Sequence, residues 1–164
     1  MQDRPRIQPE LSLADKIAEV AAWTIIGAIW AIVLFNYSTI SDTIPIHYNA
    51  AGEVDGYGDK SGIFTIAIIA TVFVIGLSLL NKFPHIFNYS RKITAENALQ
   101  QYTAATRMIR YIKVAIALTF MVTTITTVSA AYNGATSIGS WILPCLTAII
   151  VTPMIYFGIK MLRK

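Results

Sequence analysis

Charged residues are scarce in this sequence: Asp, Glu, Lys and Arg make up 13% of its 164 residues, about half of their share in soluble globular domains. The mean hydropathy is +0.56. This composition excludes an ordinary soluble domain and is typical of a membrane protein. The net charge of +4 comes from basic residues at the ends of apolar segments rather than from a patch, so we predict no nucleic-acid partner.

Cysteine is nearly absent as well. Cys145 is the only one; it excludes an intrachain disulfide and, within an apolar segment, reports nothing about the redox compartment. No A-x-A-like cleavage site separates the first apolar segment from the polar segment that follows it, so we expect no cleavable signal peptide.

Four uncharged apolar segments are each long enough to cross a bilayer, which takes about 20 helical residues for a hydrocarbon core about 30 Å thick. They predict transmembrane spans at residues 20–37, 63–81, 114–131 and 138–159. Residues 11–19 are expected to form the interfacial start of the first helix, with Ser12 as a candidate N-cap. In lipid, only helices and closed barrels satisfy the backbone, and four spans are too few for a barrel. The sequence therefore predicts an all-α polytopic membrane protein with four transmembrane helices, forming a single membrane domain over residues 1–164.

The last two predicted spans share one long segment without Asp, Glu, Lys or Arg, from Val114 to Ile159. Tyr132-Asn133-Gly134 supplies the turn between them. Pro144 and Pro153 are expected to kink the fourth span. Hydroxyl groups on the third span are expected to pair with the carbonyls that these prolines free; they belong to Thr119, Thr123 and Thr127.

Residues 88–113 form a polar connector between the second and third spans. Apolar residues recur in it at helical spacing: Ala98, Leu99, Tyr102, Ala105 and Ile109. We predict an amphipathic helix on the cytoplasmic membrane surface, with Thr94 as a candidate N-cap, that leads directly into the third span. Its basic residues are expected to contact anionic lipid headgroups.

The basic residues also predict the orientation. Of the 13 Lys and Arg residues, only Lys60 lies in the loop of residues 38–62. The positive-inside rule therefore places both termini and the connector in the cytoplasm and the loop outside, in a multi-pass protein of the cell membrane.

The extracytoplasmic loop is predicted to be compact and rich in turns. Residues 44–49 alternate between apolar and polar, as in an extended segment, and Gly52, Gly56 and Gly58 are expected to allow turns with positive φ. The candidate site residues lie here: His47, Asn49, Gly52, Asp55, Gly56 and Lys60. Their donors and acceptors suit either a structural cap on the helix bundle or a ligand-binding surface.

Three further uses of this loop are weighed. Tyr48, Tyr57, Ile44 and Ile46, with the carboxylates, offer contacts to an external peptide or lipid. His47, Glu53, Asp55 and Asp59 offer metal donors, but their spacing matches no zinc or calcium motif, so we assign no metal ligand and no cofactor. No serine or cysteine lies in a nucleophile elbow, so we expect no enzymatic activity and no catalytic residue.

The run DTIPIHYNAAGEVDGYGDKSGIF resembles the IPxHxNxxGxxDGxxxK signature of the bacterial SdpI-type immunity protein family, a family of membrane proteins filed as a domain of unknown function. The run NYSRKITAENALQQYTAATRMIRYIK resembles the cytoplasmic connector of that family. Together they cover about a third of the chain and correspond to the N-terminal part of the longer family members. The resemblance implies a non-enzymatic immunity or signal-transduction protein, with a peptide toxin as partner outside and a regulator in the cytoplasm.

Two alternatives remain open beside the resemblance. One is a metal-dependent membrane enzyme that uses His47 and the loop carboxylates. The other is an accessory subunit of a larger membrane complex, which the small size of the chain favours.

Overall fold

The computed structural model describes residues 4–134 and 137–162, and within them the chain is mostly helical. Its helices are α1 (Leu13–Asn36), α2 (Gly62–Leu80), α3 (Ala98–Asn133) and α4 (Ile142–Leu162). All four are long and apolar enough to cross a membrane, which confirms the predicted fold class. The loop between α1 and α2 adds a small antiparallel sheet, made of β1 (Thr43–Tyr48) and β2 (Val54–Asp59).

Helix α1 begins seven residues before the predicted span, because a capping box starts it. The Asp15 amide donates to Ser12 Oγ over 3.3 Å, and the Ser12 amide donates to Asp15 Oδ2 over 2.9 Å. This reciprocal pair satisfies two backbone donors at the helix start. The helix therefore continues about two turns beyond the apolar segment.

Helix α3 is the central element of the bundle. It packs against α1, α2, α4 and β1, and its 36 residues make a rod about 54 Å long. The predicted connector helix and third span are thus one helix, but residues 88–97 are not helical. The prediction of Thr94 as N-cap is wrong: the cap is Asn97, whose Oδ1 accepts from the Thr94 amide over 2.9 Å.

The apolar face of the first turns of α3 packs against protein. Tyr102 is fully buried, and its ring centroid lies 5.6 Å from that of Tyr89 in the preceding segment. Of the five residues predicted to form the apolar face, only Leu99 is exposed. The face therefore forms a second small core beside the main one, because the segment before α3 folds back over it.

The main core joins α1, α2 and α3 and ends beneath the hairpin. Its fully buried members include Ile29 and Val33 on α1, Ala67 and Ala70 on α2, and Ile44 on β1. Alanines on α2 let the three helices approach closely. The hairpin is consequently continuous with the bundle core through Ile44.

Helix α4 packs on α3 and buries little of its own surface; Phe157 is the one buried residue among those described for it. Pro144 lies in its first turn, where no helical hydrogen bond is lost, so the predicted kink there is wrong. Only Pro153 is interior. Thr119 and Thr123 donate to carbonyls of α3 itself, at 3.0 Å each, and not to α4.

Candidate functional site

The hairpin places two of the predicted site residues side by side through two irregularities in its register. The pairing runs from Thr43 opposite Asp59 to Tyr48 opposite Val54, with one extra residue on each strand. These are Ile46 on β1 and Asp55 on β2. Such β-bulges redirect side chains. Here they bring the side chain of Asp55 next to that of His47.

The two side chains form an exposed pair. His47 Nδ1 lies 2.5 Å from Asp55 Oδ1, and the side chains are 70% and 43% exposed. A Cβ on Gly56 would lie 3.0 Å from the Cβ of His47, so the absence of a side chain there lets the imidazole cross the neighbouring strand. Exposed pairs of this kind contribute only about 0–1 kcal/mol to stability. The pair therefore adds little to the stability of the fold, and its polar groups are accessible at the surface.

Asn49 builds the turn of the hairpin. Its Oδ1 accepts hydrogen bonds from the amides of Ala51 (2.9 Å) and Glu53 (3.0 Å), and its Nδ2 donates to Glu53 Oε2 over 3.0 Å. An asparagine that bonds the backbone two residues on is a common turn device. Both ends of the amide are therefore used within the turn, and Asn49 has a structural role.

Gly52 joins the hairpin to the α3–α4 loop. Its φ is +79°, and its carbonyl accepts from the Ile138 amide over 2.8 Å. A Cβ at this position would lie 2.8 Å from the carbonyl oxygen of Gly139, and the neighbouring Glu53 forms a β-bridge with Ser137. The positive φ predicted for Gly52 is confirmed. That for Gly56 and Gly58 is wrong, because both lie within β2.

Lys60 lies at the base of the hairpin and not beside His47. Its Nζ is 2.7 Å from Asp42 Oδ1 and 5.5 Å from the centre of the Tyr37 ring. The hydrogen bond to Asp42 raises the pKa of Lys60. Beside it, hydrogen bonds from the side chain and the amide of Ser61 lower the pKa of Asp59; the amide bond to Asp59 Oδ1 is 2.8 Å long. Both side chains fix the junction with α2.

The apolar residues of the hairpin divide between two faces. Ile44 is fully buried, whereas Ile46 is 57% and Tyr57 is 54% exposed. Tyr48 is half-buried, and this burial raises the pKa of its phenol. The expectation that all four contact an external ligand is therefore wrong for Ile44, which belongs to the core.

The carboxylates proposed as metal donors do not converge on His47. Glu53 bonds Asn49 and Asp59 bonds Ser61, so only Asp55 is beside the imidazole. Over residues 4–134 and 137–162, no three His, Cys, Asp or Glu side chains lie close enough together to hold a metal ion. The residues present do not fit a metal centre of the usual three or more protein ligands.

A buried charge cluster at the opposite end of the bundle was missed from the sequence. Arg107 Nε lies 3.1 Å from Asp15 Oδ2, and Arg110 Nε lies 3.2 Å from Glu19 Oε1. Lys113 is fully buried, contacts Glu19, and donates to Ser78 Oγ over 2.9 Å. These basic residues, expected to contact lipid headgroups, instead pair with α1. The sequence signal available for this cluster was the pair of carboxylates, Asp15 and Glu19, which lie one helical turn apart on α1.

The cluster and the hairpin are separated by about the thickness of a hydrocarbon core. At the hairpin end, the Tyr132 hydroxyl on α3 donates to Asn36 Oδ1 on α1 over 3.0 Å. From this contact, Glu19 and Lys113 are each about 26–29 Å distant along their helices at 1.5 Å per residue. A hydrocarbon core is about 30 Å thick, so this separation suits charged groups at one boundary and the hairpin at the other.

Comparison with known proteins matches residues 24–71 to the family described as Domain of unknown function (DUF1648). A protein of Archaeoglobus fulgidus, described as uncharacterized, is 31% identical over 71 residues, which are 38% of this chain and 39% of that protein. No solved structure matches the chain significantly. The match to the family model covers less than a third of the chain, and neither match names an immunity protein. The similarity to the family centres on the whole hairpin and the adjoining halves of α1 and α2.

Proposed function

We propose that this chain is a non-enzymatic membrane protein that binds a cationic peptide on its hairpin. The observation that carries the proposal is the exposed hairpin surface, made of Ile46, His47, Asp55 and Tyr57, on a sheet locked to the bundle. The hairpin offers two exposed apolar side chains and the hydrogen-bonded His47–Asp55 pair, a combination that suits a peptide with both apolar and basic residues. The resemblance to SdpI-type immunity proteins makes a peptide toxin the favoured ligand.

The charge of the hairpin end supports a cationic ligand. Between residues 38 and 62 the chain has four carboxylates and a single lysine, and that lysine is paired with Asp42. A surface of one sign attracts oppositely charged partners and raises their rate of association. The same asymmetry supports an orientation with the hairpin outside the cell and both termini in the cytoplasm.

The anchoring of the hairpin supports binding as well. The turn is closed by Asn49, the tip is bonded to the α3–α4 loop through Gly52, and Ile44 is embedded in the core. A surface that is ordered before binding loses little conformational entropy when the ligand arrives. The hairpin therefore acts as a preformed platform.

The test uses variants of the exposed pair. His47→Ala and Asp55→Asn are expected to reduce survival at least about tenfold when the protein is expressed in bacteria challenged with cationic secreted peptide toxins, because loss of a hydrogen-bonded charge contact costs about 1.5–3 kcal/mol. Membrane levels and thermal stability should not change, since the pair is exposed.

The matched control is Asp42→Asn, which removes the same charge from the base of the hairpin. It should retain protection. If His47→Ala and Asp55→Asn both protect as well as the native protein does, the exposed pair does not bind the peptide. Equal losses in all three variants would indicate general electrostatic attraction instead.

A second candidate function is that of an accessory subunit, and the observation that favours it is the exposure of α4. Only 6% of the apolar membrane-spanning segment of α4 is buried, against 22–33% of the corresponding segments in the other helices. Further membrane helices could cover this surface. We expect a membrane partner to co-purify in mild detergent if this function holds, and its loss on substitution of the exposed Ile155 by Trp would place the contact on α4.

A further inference from the structure

The seam between α3 and α4 is open along its length. In the membrane-embedded part, a groove of about 560 Å³ is lined by apolar and small residues that include Ala115, Leu118, Ala148 and Pro153. Its volume lies within the range of small-molecule sites. It is open because α4 packs loosely on α3.

Towards the chain termini, the same seam becomes polar. Two adjoining depressions of about 390 Å³ each share Gln100 and Lys160, and the larger groove meets one of them at Tyr156. Arg107, Thr103 and Glu96 complete the polar lining. The three spaces thus adjoin one another and form one surface groove, which is apolar at one end and polar at the other.

The depth of the seam matches one leaflet of a bilayer. The Tyr111 and Phe157 rings meet across it, with centroids 5.6 Å apart, close to the boundary marked by Lys113. From Phe157 to Ala148 the apolar groove runs about 14 Å into the hydrocarbon, close to half of a core about 30 Å thick. Lys160 lies one turn to the other side, at the level of lipid headgroups.

We propose that this α3–α4 seam binds an anionic glycerophospholipid. Lys160 and Arg107 contact the phosphate, and an acyl chain occupies the apolar groove. The charges of the seam determine which lipid it binds. Lys160 forms no ion pair within the described residues, and Arg107 also contacts Asp15. The carboxylate of Glu96 would repel a headgroup with a second negative charge. The seam therefore fits a lipid with one net negative charge.

The test is native mass spectrometry of the full chain in detergent with equimolar phosphatidylglycerol and phosphatidylcholine. The protein should retain phosphatidylglycerol preferentially. Lys160→Gln should reduce this retention about fivefold, as expected for loss of one basic contact at a membrane surface. Ala148→Phe fills the groove at an exposed position and should reduce retention of both lipids.

Lys82→Gln is the matched control, because it removes the same charge from an exposed position at the same end of the bundle but outside the seam. It should leave retention unchanged. Equal retention of the two lipids, or equal losses in Lys160→Gln and Lys82→Gln, would overturn the proposal. A lipid-free dimer that Ala148→Phe dissociates would also overturn it and would assign the seam to a second copy of the chain.

Discussion

Replacement of Asp15 by asparagine is expected to lower the free energy of unfolding by about 1.5–3 kcal/mol, because it removes a buried carboxylate that is hydrogen-bonded to a charged group. The Asp15 side chain is 2% exposed and contacts both Arg107 and Arg110. Unfolding by SDS in mixed micelles, followed by circular dichroism, measures the change. Lys16→Gln alters the charge of the next residue, which is exposed, and should have little effect.

Two further variants separate the contributions of Asp15. Ser12→Ala removes its hydrogen bond in the capping box and should cost about 1 kcal/mol. Arg107→Met, added to Asp15→Asn, should recover part of the loss, because one unpaired charge is removed and Arg110 keeps its contact with Glu19. A loss below about 1 kcal/mol for Asp15→Asn would show that water reaches the cluster.

Replacement of Gly52 by alanine is expected to destabilise the docked hairpin by about 3 kcal/mol. A side chain at its positive φ costs about 1–2 kcal/mol, and the new methyl group would lie 2.8 Å from the Gly139 carbonyl, which adds an overpacking cost of about 1–3 kcal/mol. Hydrogen exchange of the Ile138 amide measures the effect directly, since that amide donates to the Gly52 carbonyl.

Gly134→Ala provides the matched control for backbone strain. Gly134 also has a positive φ, +64°, but a Cβ there would meet nothing within 4 Å. Its cost should therefore be the strain alone, about 1–2 kcal/mol, with no faster exchange at Ile138. Similar exchange rates in the two variants would show that contact with Gly139 does not hold the hairpin in place.

The four helices were predictable from the sequence because hydrocarbon imposes one solution on an uncharged apolar segment. Their ends were predictable only in part, because outside the lipid other forces decide. The helix start before the first span and its N-cap at Ser12 were predicted and are confirmed, whereas α3 begins at Ala98 with its first turns buried. The pairing of Asp15 with Arg107 joins residues 92 apart, and depends on how two helices are rotated against each other.

The candidate site was predictable in part. Alternation over residues 44–49 predicted an extended segment, and β1 forms there. Strand β2, with the sequence VDGYGD, has glycines and aspartates that disfavour strands. It forms because β1 pairs with it, and the α3–α4 loop holds the turn before it through Gly52 and Glu53. The bulges that bring Asp55 to His47 follow from this pairing and leave no mark in the local sequence.

Because α3 is one continuous helix, a change in its length would affect contacts at both of its ends. One end of the rod carries the basic side chains that meet Asp15 and Glu19, and the other carries the Tyr132 hydroxyl that bonds Asn36. Each added residue would turn one end by about 100° relative to the other. Its middle is thus intolerant of any insertion or deletion.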